Sequence, residues 1–399
     1  MATNTDIPQG YKATALGIIP QEWKTIRLKD CFSISAGGDV QKDCFSEAPS
    51  LQYKYPIYSN SLFNHGLYGF TSHPRHKANS ITITGRGALG HAEYREIDFD
   101  AIVRLLVLAP KIPLNGQYIT EYINFRKPFF YESTGVPQLT APQIANIQVL
   151  FPPLAEQRKI AEVLGVWDEA IEKQARLIEK LALRKRALMQ RLLSAKLRLP
   201  GFSEPWKEHK IADLFSPIND TNDGQEHIPM TISAKSGFIS QKDKFDRVIA
   251  GDSLQRYILL KKGDFAYNKG NSNLYEMGCI YHLNEESALV PFVYICFRSK
   301  GSVNIDFYSQ FFINHGLDRQ LKKIITSGAR GDGLLNVDKK DFFALNVPYP
   351  TIEEQTAIAE VLTAADHEIE LAKEKLERLR RQKRGLMQQL LTGKKRVKY

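Results

Sequence analysis

The sequence predicts an α+β protein in which two α/β domains are separated by two long helices that form an antiparallel coiled coil with pseudo-twofold symmetry. Three observations predict it: a long segment occurs twice, each copy has helical periodicity, and the sequence around the copies mixes strand-like and helix-like runs. Residues 151–194 and 349–392 align without a gap at an offset of 198 residues in a chain of 399. A segment that recurs at an interval of about half the chain indicates a duplicated architecture.

The repeated segment has the apolar spacing of a long helix. Its apolar residues recur at alternating intervals of three and four positions, the spacing of a coiled-coil seam. Neither copy has an internal proline, and prolines precede each helix, where they are tolerated. The predicted seam residues are Ile160, Leu164, Trp167, Ile171, Ile178, Leu181 and Leu188 in the first copy and Ile358, Leu362, Ile369, Leu376, Leu379 and Leu386 in the second. Lys185 and Lys383 occupy matched seam positions, where a lysine either fixes register or lays its aliphatic stem along the seam.

The relative direction of the two helices follows from lengths. A helix of about 40 residues is about 60 Å long, whereas a compact domain of about 150 residues is about 40 Å across. The domain that joins the helices would have to bridge the full 60 Å if they ran parallel. We therefore predict an antiparallel pair with one domain at each end, and the segments 1–150, 151–198, 199–348 and 349–399.

Composition fits a soluble globular protein of the cytoplasm. Hydrophobic residues make up 43% of the chain and charged residues 25%, both ordinary values. No apolar run reaches the roughly 18 residues of a membrane span, and the N-terminus lacks a signal-peptide core. The four cysteines show no framework spacing, so reduced thiols are expected.

The net charge of +10 is concentrated on the repeated helices. Residues 151–200 carry 11 Lys and Arg against 6 Asp and Glu, and residues 349–399 carry 11 against 8. Residues 1–150 carry 14 against 12, and residues 201–348 carry 18 against 18. A basic stripe indicates a phosphate-bearing partner, although a solvated helix face with cations near its C-terminus gives the same pattern.

The two domains share an opening and then diverge. Trp23-Lys24 and Trp206-Lys207 are each followed by Phe-Ser nine residues after the tryptophan. The alternating run 80–84 predicts a strand, and further strand candidates lie at 102–108, 147–151, 257–260, 264–267, 278–282 and 344–347. Helices are predicted at 118–125, 307–312 and 316–324.

The motif search finds no catalytic site or metal site. Gly85 to Gly90 matches G-x-G-x-x-G, but a dinucleotide site needs a helix after the loop. Here the following residues alternate like a strand, so the segment predicts a glycine-rich hairpin that presents Arg86. No phosphate-binding P-loop, paired zinc-ligand spacing or catalytic triad order stands out.

Polar and basic loops in both domains are the remaining candidates for ligand contact. Arg, Lys, Asn and Gln side chains read base edges, and Ser, Thr and Tyr commonly hold phosphates. An ordinary solvated loop is the alternative for each of them. The candidates are Tyr58, Asn60, Arg86, Thr134 and Gln138 in the first domain and Lys235, Asn268, Lys269, Asn271 and Arg330 in the second.

The chain resembles the specificity subunit of type I restriction-modification systems. The resemblance rests on two helix entries with a Pro-x-x-x-Glu-Gln pattern, each followed by Ile-Ala-Glu-Val-Leu and a basic Leu-Met-Gln-x-Leu-Leu ending. The Trp-Lys openings, the Gly85-Arg86-Gly87 loop and the segment from Lys262 to Asn268 add to it. It covers essentially the whole chain.

The resemblance implies two target-recognition domains, each binding one half of a split double-stranded DNA sequence. It implies that the helix pair sets the spacer and docks two methyltransferase subunits. S-adenosylmethionine would bind those subunits, and ATP and Mg²⁺ would serve restriction and translocase subunits. The chain itself would bind no cofactor or metal and carry no catalytic residue.

Three alternatives stay open. The chain could serve a fused methyltransferase-nuclease, it could be a methyltransferase or nuclease itself, or it could be a coiled-coil scaffold whose end domains bind protein or glycan.

Overall fold

The computed structural model describes residues 7–127, 137–245, 251–270, 275–325 and 334–398. The chain divides into two compact units, one of residues Met1–Ala175 with Glu374–Tyr399 and the other of residues Arg176–Lys373. Each unit therefore combines one mixed domain with parts of both long helices. The boundaries that follow Ala175 and Lys373 lie 198 residues apart, which is the offset of the sequence repeat.

The first unit contains the strands and helices up to the middle of the first long helix. Its strands are β1 Tyr11–Thr14, β2 Gly17–Pro20, β3 Lys24–Arg27, β4 Phe32–Ala36, β5 Phe45–Ser46, β6 Tyr55–Tyr58, β7 Leu67–Thr71, β8 Ser80–Ile83, β9 Ala92–Arg95, β10 Asp100–Ala101, β11 Leu106–Pro110 and β12 Gln148–Phe151. Its helices are α1 Leu28–Cys31, α2 Gly116–Arg126, α3 Ala141–Ala145 and the long α4 Leu154–Leu192, with 3-10 turns at Lys42–Cys44 and Phe63–Gly66.

The second unit repeats the order with different loops. Its strands are β13 Lys207–Lys210, β14 Phe215–Pro217, β15 Met230–Ser233, β16 Gly237–Ser240, β17 Ile258–Lys261, β18 Phe265–Asn268, β19 Cys279–His282, β20 Ser287–Val290, β21 Ile295–Ser299 and β22 Asn346–Tyr349. Its helices are α5 Ile211–Leu214, α6 Gln241–Phe245, α7 Ile305–Ile313, α8 Asp318–Ile324, α9 Lys339–Phe343 and the long α10 Ile352–Leu390, with a 3-10 turn at Gly251–Arg256.

The central sheets of the two units have corresponding topology. The order is β4-β11-β8-β9 in the first unit and β14-β21-β18-β19 in the second, with antiparallel neighbours throughout. A separate ribbon pairs β12 with β3, and its counterpart pairs β22 with β13. This ribbon leads directly into each long helix, so the opening of each domain is fixed to the helix entry. The repeat thus extends further in structure than in sequence.

Each domain core reaches onto the long helices. The first core packs Trp23, Phe32, Tyr118 and Ile160 with Leu390 of the C-terminal helix end. The second packs Phe215, Phe265, Phe307 and Ile358 with Leu192. Burial of apolar side chains contributes about 25 cal/mol per Å², so each domain holds the helices through its own core.

The long helices α4 and α10 have 39 residues each and pack together. Ile160, Leu164, Ile358 and Leu362 are fully buried, and the other predicted seam residues are buried or half-buried. None of the thirteen is exposed. The 3-4 spacing therefore identified the inward faces of both helices.

One predicted strand was wrong at its start. The apolar run 102–108 predicts a strand, but β11 begins only at Leu106, and Val103 and Arg104 adopt left-handed backbone angles with φ of 54° and 58°. Their amides donate to the carbonyls of Gly38 and Gly37 at 2.9 and 3.0 Å. These tertiary hydrogen bonds override the strand propensity, at a cost of about 1–2 kcal/mol per residue.

The remaining elements follow the predictions more closely. The glycine-rich loop joins β8 to β9, which pair antiparallel, so it is the predicted hairpin and not a nucleotide loop. The predicted helices 118–125 and 307–312 lie within α2 and α7. The predicted strand 344–347 begins at Asn346, because Ala344 caps α9.

Two expectations about the chain's surroundings can be compared with the structure. Cys31, Cys44, Cys279 and Cys296 are free thiols, and burial raises the pKa of Cys31 and Cys279 to about 11. In the described part of the chain, every helix is too short or too polar to span a bilayer.

Candidate nucleic-acid interface

Asn60 joins three loops at one end of the first domain. Its Oδ1 accepts a hydrogen bond from the Gly85 amide at 2.7 Å, and its Nδ2 donates to the Val103 carbonyl at 2.7 Å. The Leu139 amide donates to the Gly85 carbonyl at 2.9 Å, which brings a fourth segment to the same place. Both ends of the Asn60 amide are therefore committed to the protein's own backbone.

The exposed residues on these loops include two of the sequence candidates. Arg86 follows Gly85, Gln138 precedes Leu139, and both side chains are exposed. The structure thus gathers Asn60, Arg86 and Gln138 around one junction. It does so because Asn60 and the Leu139 backbone both hydrogen-bond to Gly85.

Tyr58 lies beside this junction but packs inward. Its ring lies 3.6 Å from the guanidinium carbon of Arg95 and contacts Phe99 with centroids 5.7 Å apart. Burial lowers the pKa of Arg95, while Glu93 and Tyr58 oppose that shift. A guanidinium stacked on an aromatic face is a stabilising cation–π contact, so the Tyr58 ring has a packing role in this structure.

The second domain has a similar junction built on Asn268. Its Nδ2 donates to the Ile232 carbonyl at 3.2 Å, and its Oδ1 accepts from the Gly270 amide at 3.0 Å. The Leu335 amide donates to the Lys269 carbonyl at 2.9 Å. Lys235 is exposed in the turn between β15 and β16, which starts directly after Ile232 and Ser233. Lys235, Asn268 and Lys269 therefore lie on connected loops.

Three further candidates, Thr134, Asn271 and Arg330, lie outside the described residues. Arg104 is not among the sequence candidates, because it lies in an apolar run that predicts a strand. It is exposed on the left-handed turn beside Asn60 and Gly85. Two consecutive non-glycine residues with positive φ mark a place where surrounding contacts impose the backbone conformation.

A cluster of two buried residues and an arginine fixes the entry of α4 in the first unit. Glu156 is fully buried and accepts hydrogen bonds from Trp23 Nε1 at 2.8 Å and from Arg396 Nε and Nη2 at 2.6 and 2.9 Å. These hydrogen bonds, together with a contact to Glu22, raise the pKa of Arg396. The C-terminal segment is thereby attached to the domain opening and to the helix entry.

The second unit contains an equivalent cluster, in which the glutamate and the arginine are related to those of the first by the repeat offset. Glu354 is 1% exposed and accepts from Trp206 Nε1 at 2.9 Å and from Arg198 Nε and Nη2 at 2.7 and 2.9 Å. Glu354 lies 198 residues after Glu156, and Arg198 lies 198 residues before Arg396. The repeat offset relates Arg198 to Arg396 and is the sequence signal for both arginines. The Glu-Gln motif alone does not indicate that its glutamate pairs with an arginine.

A second matched cluster lies further along the helices. Lys383 Nζ contacts both carboxylate oxygens of Asp168 at 2.6 Å and Glu121 Oε2 at 2.9 Å. In the other unit Lys185 Nζ contacts both oxygens of Asp366 at 2.5 and 2.6 Å, and Gln310 donates to Asp366 at 3.0 Å. The two seam lysines therefore reach ion-pair partners, which favours the register-setting interpretation.

Glu121 and Gln310 belong to α2 and α7 of the mixed domains and each follows its N-cap asparagine by six positions. Burial raises the pKa of Glu121 to about 7, with Lys383 opposing the rise. The first unit thus carries a titratable group where the second carries a neutral amide.

The described residues contain no group of three or more His, Cys, Asp or Glu side chains arranged to hold a metal ion. The geometry consists of basic loop junctions and structural ion pairs.

Comparison with known proteins decides the family. A sequence model described as the type I restriction modification DNA specificity domain matches residues 20–183 and 242–381. The chain belongs to this family. The two matched stretches correspond to the two mixed domains with their following helices, as the duplication requires.

Curated relatives and solved structures agree with this membership. The putative type I restriction enzyme MjaX specificity subunit of Methanocaldococcus jannaschii is 25% identical over 98% of this chain and 97% of that protein. The MjaVIII specificity subunit of the same organism is 22% identical over 95% and 94%. The S subunit of a type I restriction-modification system from M. genitalium has the same fold, with a TM-score of 0.57 at 15% identity over 92% of this chain and 96% of that one. A structure of a type I restriction-modification system described in terms of complex assembly and conformational transition matches with a TM-score of 0.56 at 15% identity, over 94% of this chain and 99% of that one.

Proposed function

We propose that this chain is the DNA-specificity subunit of a type I restriction-modification complex and that each mixed domain reads one half of a bipartite site. The observation that carries the proposal is the duplicated organisation of a DNA-specificity family member. Each unit has a corresponding central sheet, a corresponding helix-entry cluster and its own set of basic loops. Different loops on matched scaffolds suit two readers of different half-sites.

The helix pair is proposed to act as the spacer between the two half-sites. Support comes from the order of ion pairs within each unit. In the first unit the pairs are Glu156 with Arg396, just after α10, and Asp168 with Lys383, within α10, so advancing along α4 means going back along the C-terminal part of the chain. In the second unit the pairs Glu354 with Arg198 and Asp366 with Lys185 have the same reversed order.

An antiparallel coiled coil produces this reversed order of ion pairs. A pseudo-twofold axis makes the ion pairs of the two units equivalent at an offset of 198 residues. The proposed architecture is therefore an antiparallel coiled coil with one recognition domain at each end. Helix length would then fix the distance between half-sites, since each residue adds about 1.5 Å.

The remaining surfaces of the helices are proposed to dock two methyltransferase subunits, which bind S-adenosylmethionine and methylate adenine. Restriction and translocase subunits would add ATP- and Mg²⁺-dependent steps. The chain itself would bind neither cofactor. Phosphate neutralisation dominates DNA affinity, so the near balance of charge at 201–348 is consistent with partner subunits that contribute cations. A cytoplasmic location fits such a complex.

Domain exchange tests the modular part of the proposal. Residues 20–150 are replaced by the corresponding domain of another family member, and methylated adenines are mapped in a host that carries the chain with its modification subunit. One half of the methylated sequence should change, and exchange of residues 200–348 should change the other half. A chimera in which both halves change contradicts modular recognition.

A purified-chain assay separates the specificity subunit from an enzyme that acts by itself. The chain without partners should neither consume S-adenosylmethionine nor cut DNA. Turnover by the isolated chain would contradict the proposal.

A further inference from the structure

Arg104 stands out among the exposed cations of the first domain because its backbone is held in a conformation that arginine seldom adopts. The φ angles of Val103 and Arg104 are both positive, and a β-branched residue such as Val103 is a rare occupant of this region. The Arg104 side chain is exposed and forms no ion pair with a described residue. The chain therefore maintains an unfavourable turn that places an unpaired guanidinium in solvent.

Hydrogen bonds from three directions hold this turn. Val103 and Arg104 donate to the carbonyls of Gly38 and Gly37, and Asn60 donates to the Val103 carbonyl. Unfavourable backbone conformations persist only where surrounding contacts determine them, and they cluster at functional sites. The turn is thus built from several segments and is not a free loop.

The same asparagine places Arg86 beside the turn. Asn60 Oδ1 binds the Gly85 amide, and a methyl group added to Gly85 would lie 3.0 Å from the Arg104 carbonyl oxygen. The Gly85 and Arg104 backbones are therefore in close contact, and Arg86 follows immediately. The exposed guanidinium groups of Arg86 and Arg104 thus lie on neighbouring backbone segments, and the side-chain amide of Asn60 hydrogen-bonds to both segments.

We propose that Arg86 and Arg104 form a pair of DNA-phosphate contacts in the first recognition domain, and that Asn60 is the positioning residue that sets their separation. This inference rests on the proposed DNA-specificity function and assigns residues to it. Guanidinium groups bind phosphate oxygens through paired N–H donors in a fixed plane, so the separation of two such groups matters. The two backbone hydrogen bonds fix the orientation of the Asn60 amide, which fits a positioning residue.

Binding of DNA to the complex assembled with its modification subunits tests the arginine pair. Arg86→Ala and Arg104→Ala should each weaken binding to the cognate site about tenfold and reduce the slope of log affinity against log salt by about one. Lys29→Ala is the matched control, because Lys29 is exposed on α1 at the opposite end of β4 and should leave both values unchanged. Arginine variants that bind with wild-type affinity and slope would overturn the assignment.

A double-mutant comparison tests the role of Asn60. Asn60→Ala should weaken binding, and in the background of Arg86→Ala with Arg104→Ala it should have little further effect, because it acts through those side chains. A fully additive Asn60 effect would overturn the positioning role and show that Asn60 contacts DNA itself.

The wild-type complex separates this inference from the proposed function. If that complex selects no DNA sequence, the proposed function fails. If the wild-type complex selects its site and the arginine variants bind DNA as the wild type does, the proposed function stands and this inference fails.

Discussion

Glu121 and Gln310 occupy the same position in the two units, and each lies next to the ion pair of a seam lysine. Glu121 contacts Lys383 at 2.9 Å, whereas Gln310 contacts Asp366, the partner of Lys185, at 3.0 Å. One position thus carries a carboxyl group whose pKa burial raises to about 7, and the other carries an amide that does not titrate.

This difference predicts that this position contributes a pH dependence in the first unit and none in the second. A carboxyl whose pKa is higher in the folded state than its ordinary 4.5 retains its proton longer when folded. The free energy of unfolding should therefore fall as pH rises from about 4.5 to about 7, by an amount on the order of 2 kcal/mol. Hydrogen exchange of α2 amides at pH 5 and pH 8, corrected for intrinsic rates, measures this effect.

The matched variants exchange the two residues. Glu121→Gln should remove the slope from the first unit, and Gln310→Glu should introduce one into the second. An unchanged slope in Glu121→Gln would show that another group is responsible.

The Arg–Glu pairs at the helix entries predict unit-specific destabilisation. Arg396→Ala leaves the fully buried Glu156 carboxylate without its main counter-charge, and the loss should be below the about 3–5 kcal/mol of a fully buried pair, because the Arg396 side chain is one third exposed. Arg198→Ala should do the same to Glu354 in the second unit. Urea unfolding followed by hydrogen exchange locates the loss.

The conservative variant Arg396→Lys should lose less, because it keeps the charge but not the two-point geometry. Equal destabilisation of both units by Arg396→Ala would contradict the assignment of this cluster to one unit.

At the ends of the two long helices, introducing a glycine and removing one should have opposite effects on stability. Ala195 and Gly393 lie 198 residues apart and have φ of 57° and 71°, the left-handed conformation that ends many helices. Ala195→Gly should stabilise the second unit by about 1 kcal/mol. Gly393→Ala should destabilise the first, since its Cβ would lie 2.4 Å from Pro20 Cδ.

Gly385→Ala provides the control in the same helix. A methyl group there meets nothing within 4 Å, and the equivalent residue of the other copy is Ala187. It should stabilise the protein by about 0.5–1 kcal/mol through helix propensity. Thermal unfolding of the three variants tests the set, and destabilisation by Ala195→Gly would contradict the helix-end assignment.

The sequence predicted what depends on periodicity and repetition. Ile160 and Ile358 were assigned to the seam because a 39-residue helix gives many turns over which the apolar spacing can be read. The hairpin after β8 was predicted because no helical pattern follows the glycines.

Contacts between segments that are distant in the chain could not be predicted from local sequence patterns. Nothing near Asn60 in sequence shows that its amide hydrogen-bonds to Gly85 and Val103. The sequence predicts a strand where Val103 and Arg104 form a turn, because the hydrogen-bond partners of the turn lie 43 or more residues away. The role of Glu121 required the fold, since Lys383 lies 262 residues further along the chain.

The central claim is that the helix pair sets the distance between two half-sites. It is tested most directly by inserting one heptad after Ala175 in α4 and one after Lys373 in α10, which keeps the 3-4 spacing of both seams. Seven residues add about 10 Å of helix, about three base pairs at 3.4 Å each. Methylation mapping of the variant complex should show the same two half-sites with a spacer longer by about three base pairs. Both half-sites methylated at the original spacing would contradict the account.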